Sequence, residues 1–411
     1  MIHYIPRWCV SLLKTQVEET PVVVLTGPRQ VGKSTLLKHE FADTFTYFNL
    51  DDLDILSQFK RDAASVLRSS NRIIIDEAQR SPECFLTVKK LVDQDSGRRF
   101  ILSGSANLLF MAQTGESLAG RAQFLHLMPM THGEMKQLAP PAWLLELLEN
   151  GQFNAPAATA KHKPIFEHEV WQGGMPVCLQ QKKSEALTRW REGYIESYLE
   201  RDLRQLSMID SLVDFRRLMK LSAGRNAQLV NKSEVARDAS LSQPTAHRYL
   251  NLLEISEWIY SLPAFISNRS QQVVKSPKQH WFDTGLAAHL QGHFSPPNLA
   301  TSREWGAVWE TWIINQIRPL CQLLTPRAEL FYWRLRSGTE IDAVIQRGSV
   351  LIPIEIKSAS SVHYRDTQGL QLFIETHPPC SCGLVFYTGS TLQQLTDKIW
   401  AIPAHDLWEE K

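Results

Sequence analysis

Short continuous apolar runs mark the first hundred positions. Val22-Val23-Val24-Leu25, Ile73-Ile74-Ile75 and Phe100-Ile101-Leu102 each have the length and unbroken hydrophobicity of a strand covered on both faces, as in a parallel sheet. Helical spacing follows the first run at 35–41 and takes over between 184 and 206, where Trp190, Tyr194, Tyr198 and Leu206 stand among polar positions. Three more helices are expected at 212–223, from Glu234 to Ala239, and from Ser242 to 253. Ser242 and the nearby Pro244 form a helix-start signal. Strand-like segments at 258–262 and 272–275 come next, then an apolar helix at 305–314. Three further strands are expected at 330–334, 338–345 and 351–357. An α/β protein of several domains is therefore expected.

The chain has 411 residues, enough for two to four domains with their own cores. Its 44 Lys+Arg balance 43 Asp+Glu, a net charge of +1. That excludes a polybasic protein held on nucleic acid by a global field, but not local binding. No apolar run approaches the roughly 20 residues that span a bilayer, and the first residues lack the pattern of a signal peptide, so a cytoplasmic protein without membrane contact is expected. Six scattered cysteines do not make a disulfide framework. Cys380-Ser381-Cys382 has no second pair at zinc spacing and reads as a loop with two thiols.

The first apolar run leads into Gly27, Pro28, Arg29, Gln30, Val31, Gly32, Lys33 and Ser34, with Thr35 opening a helix. This is a complete GxxxxGK[ST] loop. Its glycines let successive N–H groups face phosphate oxygens, the lysine reaches the β- and γ-phosphates, and Ser34 is placed to ligate Mg²⁺. The second run ends in Asp76-Glu77. Asp76 would hold the Mg²⁺ shell, and Glu77 would polarise the attacking water. The third run ends at Ser103-Gly104-Ser105, which makes Ser103 and Ser105 candidates for contacting the γ-phosphate or the water.

These residues, with Asp-Glu-Ala-Gln at 76–79, Leu-Ser-Gly-Ser at 102–105 and Ser-Leu-Ala-Gly-Arg at 117–121, resemble a family of prokaryotic AAA-type P-loop ATP-binding proteins. The resemblance covers nearly the whole chain. It implies an AAA/RecA-like parallel sheet, then a helical lid and winged helix, then a restriction-endonuclease-like (PD-(D/E)xK) domain of unassigned function. It also implies adenine nucleotide, and it makes Arg121 a candidate sensor of nucleotide state. On this reading the ATPase core is 1–136, the linker and lid 137–209, the winged helix 210–278 and the nuclease-like domain 279–411.

Within the lid, Trp171-Gln172-Gly173-Gly174-Met175-Pro176 resembles the family's Gly-Gly-x-Pro turn, and Glu200-Arg201-Asp202-Leu203 resembles another of its motifs. Arg201 is either an arginine finger for a neighbouring subunit or the partner of a nearby acid. The third helix of 210–278 offers Gln243, Thr245, His247, Arg248 and Tyr249 to a major groove. This basic complement is thin, so DNA reading and an interdomain spacer both remain open.

In the last third, Asp342 precedes Glu355-x-Lys357 by thirteen residues, and Glu310 lies on the apolar helix before them. Strand alternation puts Glu355 and Lys357 on one face, within reach of Asp342 on the paired strand. Asp342, Glu355 and Glu310 would ligate Mg²⁺, and Lys357 would support a water or the leaving oxyanion. The expected function is ATP binding and hydrolysis, with a nucleotide cycle controlling this domain. DNA cleavage, and a regulatory switch whose nuclease-like domain only binds partners, are the two open outcomes.

Overall fold

The computed structural model describes residues 4–104, 118–156, 167–181, 183–199, 209–266 and 276–408. The chain divides into two compact units, one of residues 1–130 with 255–258, the other of 131–254 with 259–411.

The first unit contains α1 (Val10–Glu19), β1 (Val22–Thr26), α2 (Lys33–Phe41), β2 (Thr46–Asn49), α3 (Leu53–Arg68), β3 (Arg72–Asp76), α4 (Glu83–Gln94), β4 (Arg99–Ser103) and β5 (Ala122–His126). Its five strands lie in the order β2-β3-β4-β1-β5, every pair parallel. All five residues of β1 are buried, which explains why it reads as an unbroken apolar run. The core on one face joins Val22, Val24, Ile73, Ile75, Phe100 and Leu102 to Phe59, Phe85 and Val88. Each such fully buried side chain contributes about 1.5–3 kcal/mol of transfer free energy. Asp52 caps α3 by accepting from the N–H groups of Asp54 and Ile55.

After a single helical turn at His132–Met135, the second unit contains α5 (Ala142–Asn150), α6 (Glu167–Gln172) and α7 (Ser184–Tyr198). Then come α8 (Leu212–Gly224), β6 (Gln228–Leu229), α9 (Lys232–Asp238), α10 (Gln243–Ile255), β7 (Ile259–Leu262), β8 (Lys278–Trp281) and α11 (Thr284–Leu290). Asn231 caps α9 through the N–H groups of Ser233 and Glu234, and Ser242 Oγ accepts from Thr245 N at 3.2 Å at the start of α10. The sheet is β6-β8-β7, antiparallel throughout. The return strand expected at 272–275 lies outside the described residues. The strand that pairs with β7 is Lys278–Trp281, so the boundary drawn between 278 and 279 falls inside β8.

The unit continues with α12 (Trp305–Leu323), β9 (Glu329–Arg334), β10 (Glu340–Arg347), β11 (Val350–Lys357), α13 (Gln368–Thr376), β12 (Gly383–Tyr387), β13 (Gln393–Thr396) and β14 (Ile399–Pro403). Its six-stranded mixed sheet runs β13-β14-β12-β11-β10-β9. Pro353 interrupts an apolar strand without breaking the ladder, because pairing with β12 starts only at Ile354. Cys380 and Cys382 are buried, as are the other four cysteines, and no disulfide is present. No helix among the described residues is long and apolar enough to cross a membrane.

Candidate functional site

In the first unit the strand order places β4 between β1 and β3. The carboxyl ends of these three strands therefore bring the P-loop, Ser103 and the Asp76-Glu77 pair to one edge. The loop's curl depends on backbone that side chains resist. Gly27 has φ +146° and Gly32 φ +101°, and a Cβ on Gly27 would lie 2.2 Å from the Leu127 carbonyl oxygen. Lys33 is only 7% exposed, and its ammonium donates to the carbonyls of Gly27 at 2.8 Å and Pro28 at 2.9 Å. Burial pushes the lysine below its usual range, while Glu77, Glu257 and Asp76 pull the other way. A phosphate arriving at the loop would offer this ammonium stronger acceptors than two carbonyls.

Asp76 is almost fully buried. It accepts a hydrogen bond from the Tyr47 hydroxyl and another from Glu77 N at 3.2 Å. Burial, then this bond to Asp76, raise the Tyr47 pKa, and the hydroxyl is also within bonding reach of Ser34. Tyr47 thus bonds one of the residues expected to hold the metal and lies near the other. Sequence reasoning missed it, because a tyrosine in a four-residue strand carries no motif. Glu77 sits in the left-handed region at φ 55°, and Gln79 Nε2 donates to its carboxylate at 2.5 Å, orienting it. Ser103 is fully buried, and its Oγ has no partner among the described residues. A buried orphan hydroxyl beside a phosphate loop suits a ligand contact. The cradle at Gly27, the retracted ammonium, the Ser34/Asp76 oxygen donors and the orphan Ser103 Oγ together fit Mg²⁺ and a nucleotide triphosphate. Ser105 and Arg201 lie outside the described residues.

The structure places Arg121 away from the phosphate loop of its own chain. Arg121 immediately precedes β5, whose Ala122 is level with Val22 at the start of β1, whereas the P-loop follows the end of β1. A five-residue strand separates those edges by about 15 Å, so Arg121 does not reach nucleotide on its own chain's loop. It pairs with Asp93 instead, Nε to Oδ1 at 2.6 Å and Nη2 to Oδ2 at 3.0 Å.

In the second unit the last-third constellation does come together. The Ala343–Ile354 pair of β10 and β11 leaves Asp342 beside Glu355, and the register of β10 against β9 shifts between Ile341 and Val344. Such an irregularity re-aims a side chain. Asp342 Oδ2 accepts from Ile356 N at 2.8 Å, and Lys357 Nζ donates to Glu355 at 2.6 Å. Burial, then the charge of Asp342, push the Glu355 carboxyl up to about 8. Burial likewise drives Glu310 well above the usual carboxylate range. Sequence reasoning missed Lys278, whose ammonium stands 2.7 Å from Glu310 Oε1, 2.8 Å from Glu340 Oε1 and 3.4 Å from Asp342 Oδ1. Burial opposes its charge, but Glu310, Asp342 and Glu340 outweigh it and hold it above the ordinary lysine range. Beside it, His280 donates to or accepts from Thr311 at 2.8 Å, and burial keeps the ring neutral.

Of the residues expected on the third helix, Tyr249 is buried and cannot read a base, and Arg248 is paired with Asp210. Gln243 is exposed, and Thr245 and His247 are partly so.

A five-stranded parallel sheet with a P-loop after β1 and an acidic pair after β3 defines a P-loop nucleotide-binding core. Residues 19–136 match the family described as AAA domain. Residues 163–296 and 305–407 match two domains of unknown function, DUF8612 and DUF4143. Two curated relatives, uncharacterized proteins of Mycobacterium bovis and Mycobacterium tuberculosis, are each 29% identical over 405 residues, 98% of this chain and 84% of theirs. Among solved structures, a Walker-type ATPase of Pyrococcus abyssi is similar at 18% identity and a TM-score of 0.45, with 69% of this chain and 94% of that one covered.

Proposed function

We propose that the chain binds and hydrolyses ATP with Mg²⁺, and that its nucleotide cycle controls a C-terminal nuclease-like domain. The observation that carries the hydrolytic part is the convergence of Lys33, Ser34, Asp76, Glu77 and Ser103 at the carboxyl ends of three adjacent parallel strands. The backbone of residues 27–33 binds phosphate oxygens through its N–H groups. Lys33 leaves its two carbonyls and neutralises charge on the β- and γ-phosphates. Ser34 and Asp76 would hold the metal, which when bound would draw charge from the transferring phosphoryl group. Glu77, oriented by Gln79, takes the water's proton, and Ser103 Oγ contacts the γ-phosphate or that water.

The experiment is Mg²⁺-dependent phosphate release by the purified full chain. Glu77→Gln should keep nucleotide binding and lose about 10²-fold or more of turnover, the usual contribution of a general base. Lys33→Ala should lose binding as well. Unchanged turnover in both variants would sink the reading.

The helices α8, α9 and α10 with the β6-β8-β7 sheet support a winged-helix reading of this segment. The paired strands carrying Asp342, Glu355 and Lys357 support a PD-(D/E)xK-like reading of the C-terminal domain. Of its two outcomes, the presence of Lys278 among the acids favours a platform for DNA or protein partners over a Mg²⁺-dependent nuclease. Incubation with plasmid and single-stranded DNA, Mg²⁺ and ATP tests this, and cleavage abolished by Asp342→Ala would restore the nuclease. A cytoplasmic location completes the proposal.

A further inference from the structure

Lys278 comes from β8, the middle strand of its sheet, and is only 3% exposed. Its ammonium has three N–H donors, and three carboxylates converge on it. Glu310 comes from α12, and Glu340 and Asp342 come from β10. The acids expected to gather a metal therefore gather a cation that the chain itself supplies. Magnesium needs its oxygens at about 2.0–2.1 Å in a near-octahedral shell. An ion at the focus of these carboxylates would occupy the volume of Nζ, so metal and ammonium exclude one another. The other expected donors are also engaged within the chain, Asp342 Oδ2 by Ile356 N and Glu355 by Lys357. The residues present do not fit a divalent metal while Lys278 is in place.

The geometry points to a lysine-filled site, in which Lys278 holds the position a divalent cation would take and the acidic cluster clamps β8 to α12 and β10 instead of binding Mg²⁺. The nuclease-like constellation then works as a metal-free joint within the second unit. The inference goes beyond the ATPase reading. It takes from the nuclease-like reading only the identity of the expected ligands.

The test is a Mn²⁺ titration of the full-length protein without nucleotide, with free Mn²⁺ read by electron paramagnetic resonance. The wild type, Asp342→Asn, Lys278→Met and the double variant are compared. Wild type and Asp342→Asn should take up the same amount, whereas Lys278→Met should gain one Mn²⁺ per chain that the double variant loses. Uptake by wild type that Asp342→Asn removes would overturn the proposal, as would a folded Lys278→Met protein that gains none. If Lys278→Met does not fold, equal uptake by the first two proteins still supports it. Phosphate release is scored separately, so loss of the ATPase reading leaves these outcomes unchanged.

Discussion

The Tyr47 hydroxyl donates to the Asp76 carboxylate, tying β2 to the acidic end of β3 at the point where the P-loop serine also comes within reach. In this arrangement the tyrosine occupies part of the donor set that a Mg²⁺–nucleotide complex would use. Tyr47→Phe should therefore lower the Mg²⁺ concentration at half-maximal ATP turnover. It should also destabilise the nucleotide-free protein by about 1.5–3 kcal/mol, the range for a hydrogen bond to a charged group. Thermal unfolding and a Mg²⁺ titration check the two effects. A variant unchanged in both would mean that the bond has no part in the cycle.

Ser103 gives a contrasting expectation. Its buried Oγ makes no bond among the described residues, so Ser103→Ala should leave the melting temperature of the nucleotide-free protein level or slightly raised. Burying an unsatisfied hydroxyl costs free energy that alanine avoids. Turnover should fall about 10-fold, the equivalent of one hydrogen bond of roughly 1.4 kcal/mol to the reacting groups. A clear drop in melting temperature would instead assign the hydroxyl a structural bond.

Arg121 and Asp93 form an exposed pair at the edge of the sheet opposite the loop. Arg121→Ala should leave turnover within about twofold and the melting temperature unchanged, as most surface pairs do. A collapse of turnover that depends on protein concentration would show that Arg121 acts on the nucleotide of a second copy.

His132 packs its ring against Trp408, at 4.9 Å between centroids, with Trp312 at 6.2 Å. Burial, then Lys136, lower its pKa from 6.5 to about 4. A depressed value means that folding favours the neutral ring. That contribution is complete above pH 6.5 and is lost as pH falls toward 4. His132→Phe should therefore be less sensitive to acid than wild type over this window. The gap between the two stabilities should change by up to about 3 kcal/mol. Denaturant unfolding at pH 7 and pH 4.5 measures it, and parallel pH profiles would count against a neutral buried ring.

The glycine-rich loop was legible in the chain because its parts are contiguous. A phosphate loop must follow its strand directly and open its helix, so Gly27 to Thr35 declare themselves in order. Apolar β1, β3 and β4 announce burial on both faces without any knowledge of their neighbours. Helices α8, α9 and α10 were legible for the same reason, since caps such as Asn231 and Ser242 act within three residues.

Contacts between residues distant in sequence were not legible. Tyr47 meets Asp76 across 29 positions, and Lys278 meets Asp342 across 64. No local pattern marks either pair, because strand order and register choose the partner. The motif makes Arg121 a candidate sensor of nucleotide state, and only the parallel pairing of β5 with β1 shows that it stands at the edge of its sheet away from its own loop. The sequence alone thus determined where the glycine-rich loop lies and which strands are buried, through local sterics and hydrophobic periodicity. Only the tertiary structure decided which charges meet. That is how the acids expected to await Mg²⁺ came to surround an ammonium from a neighbouring sheet.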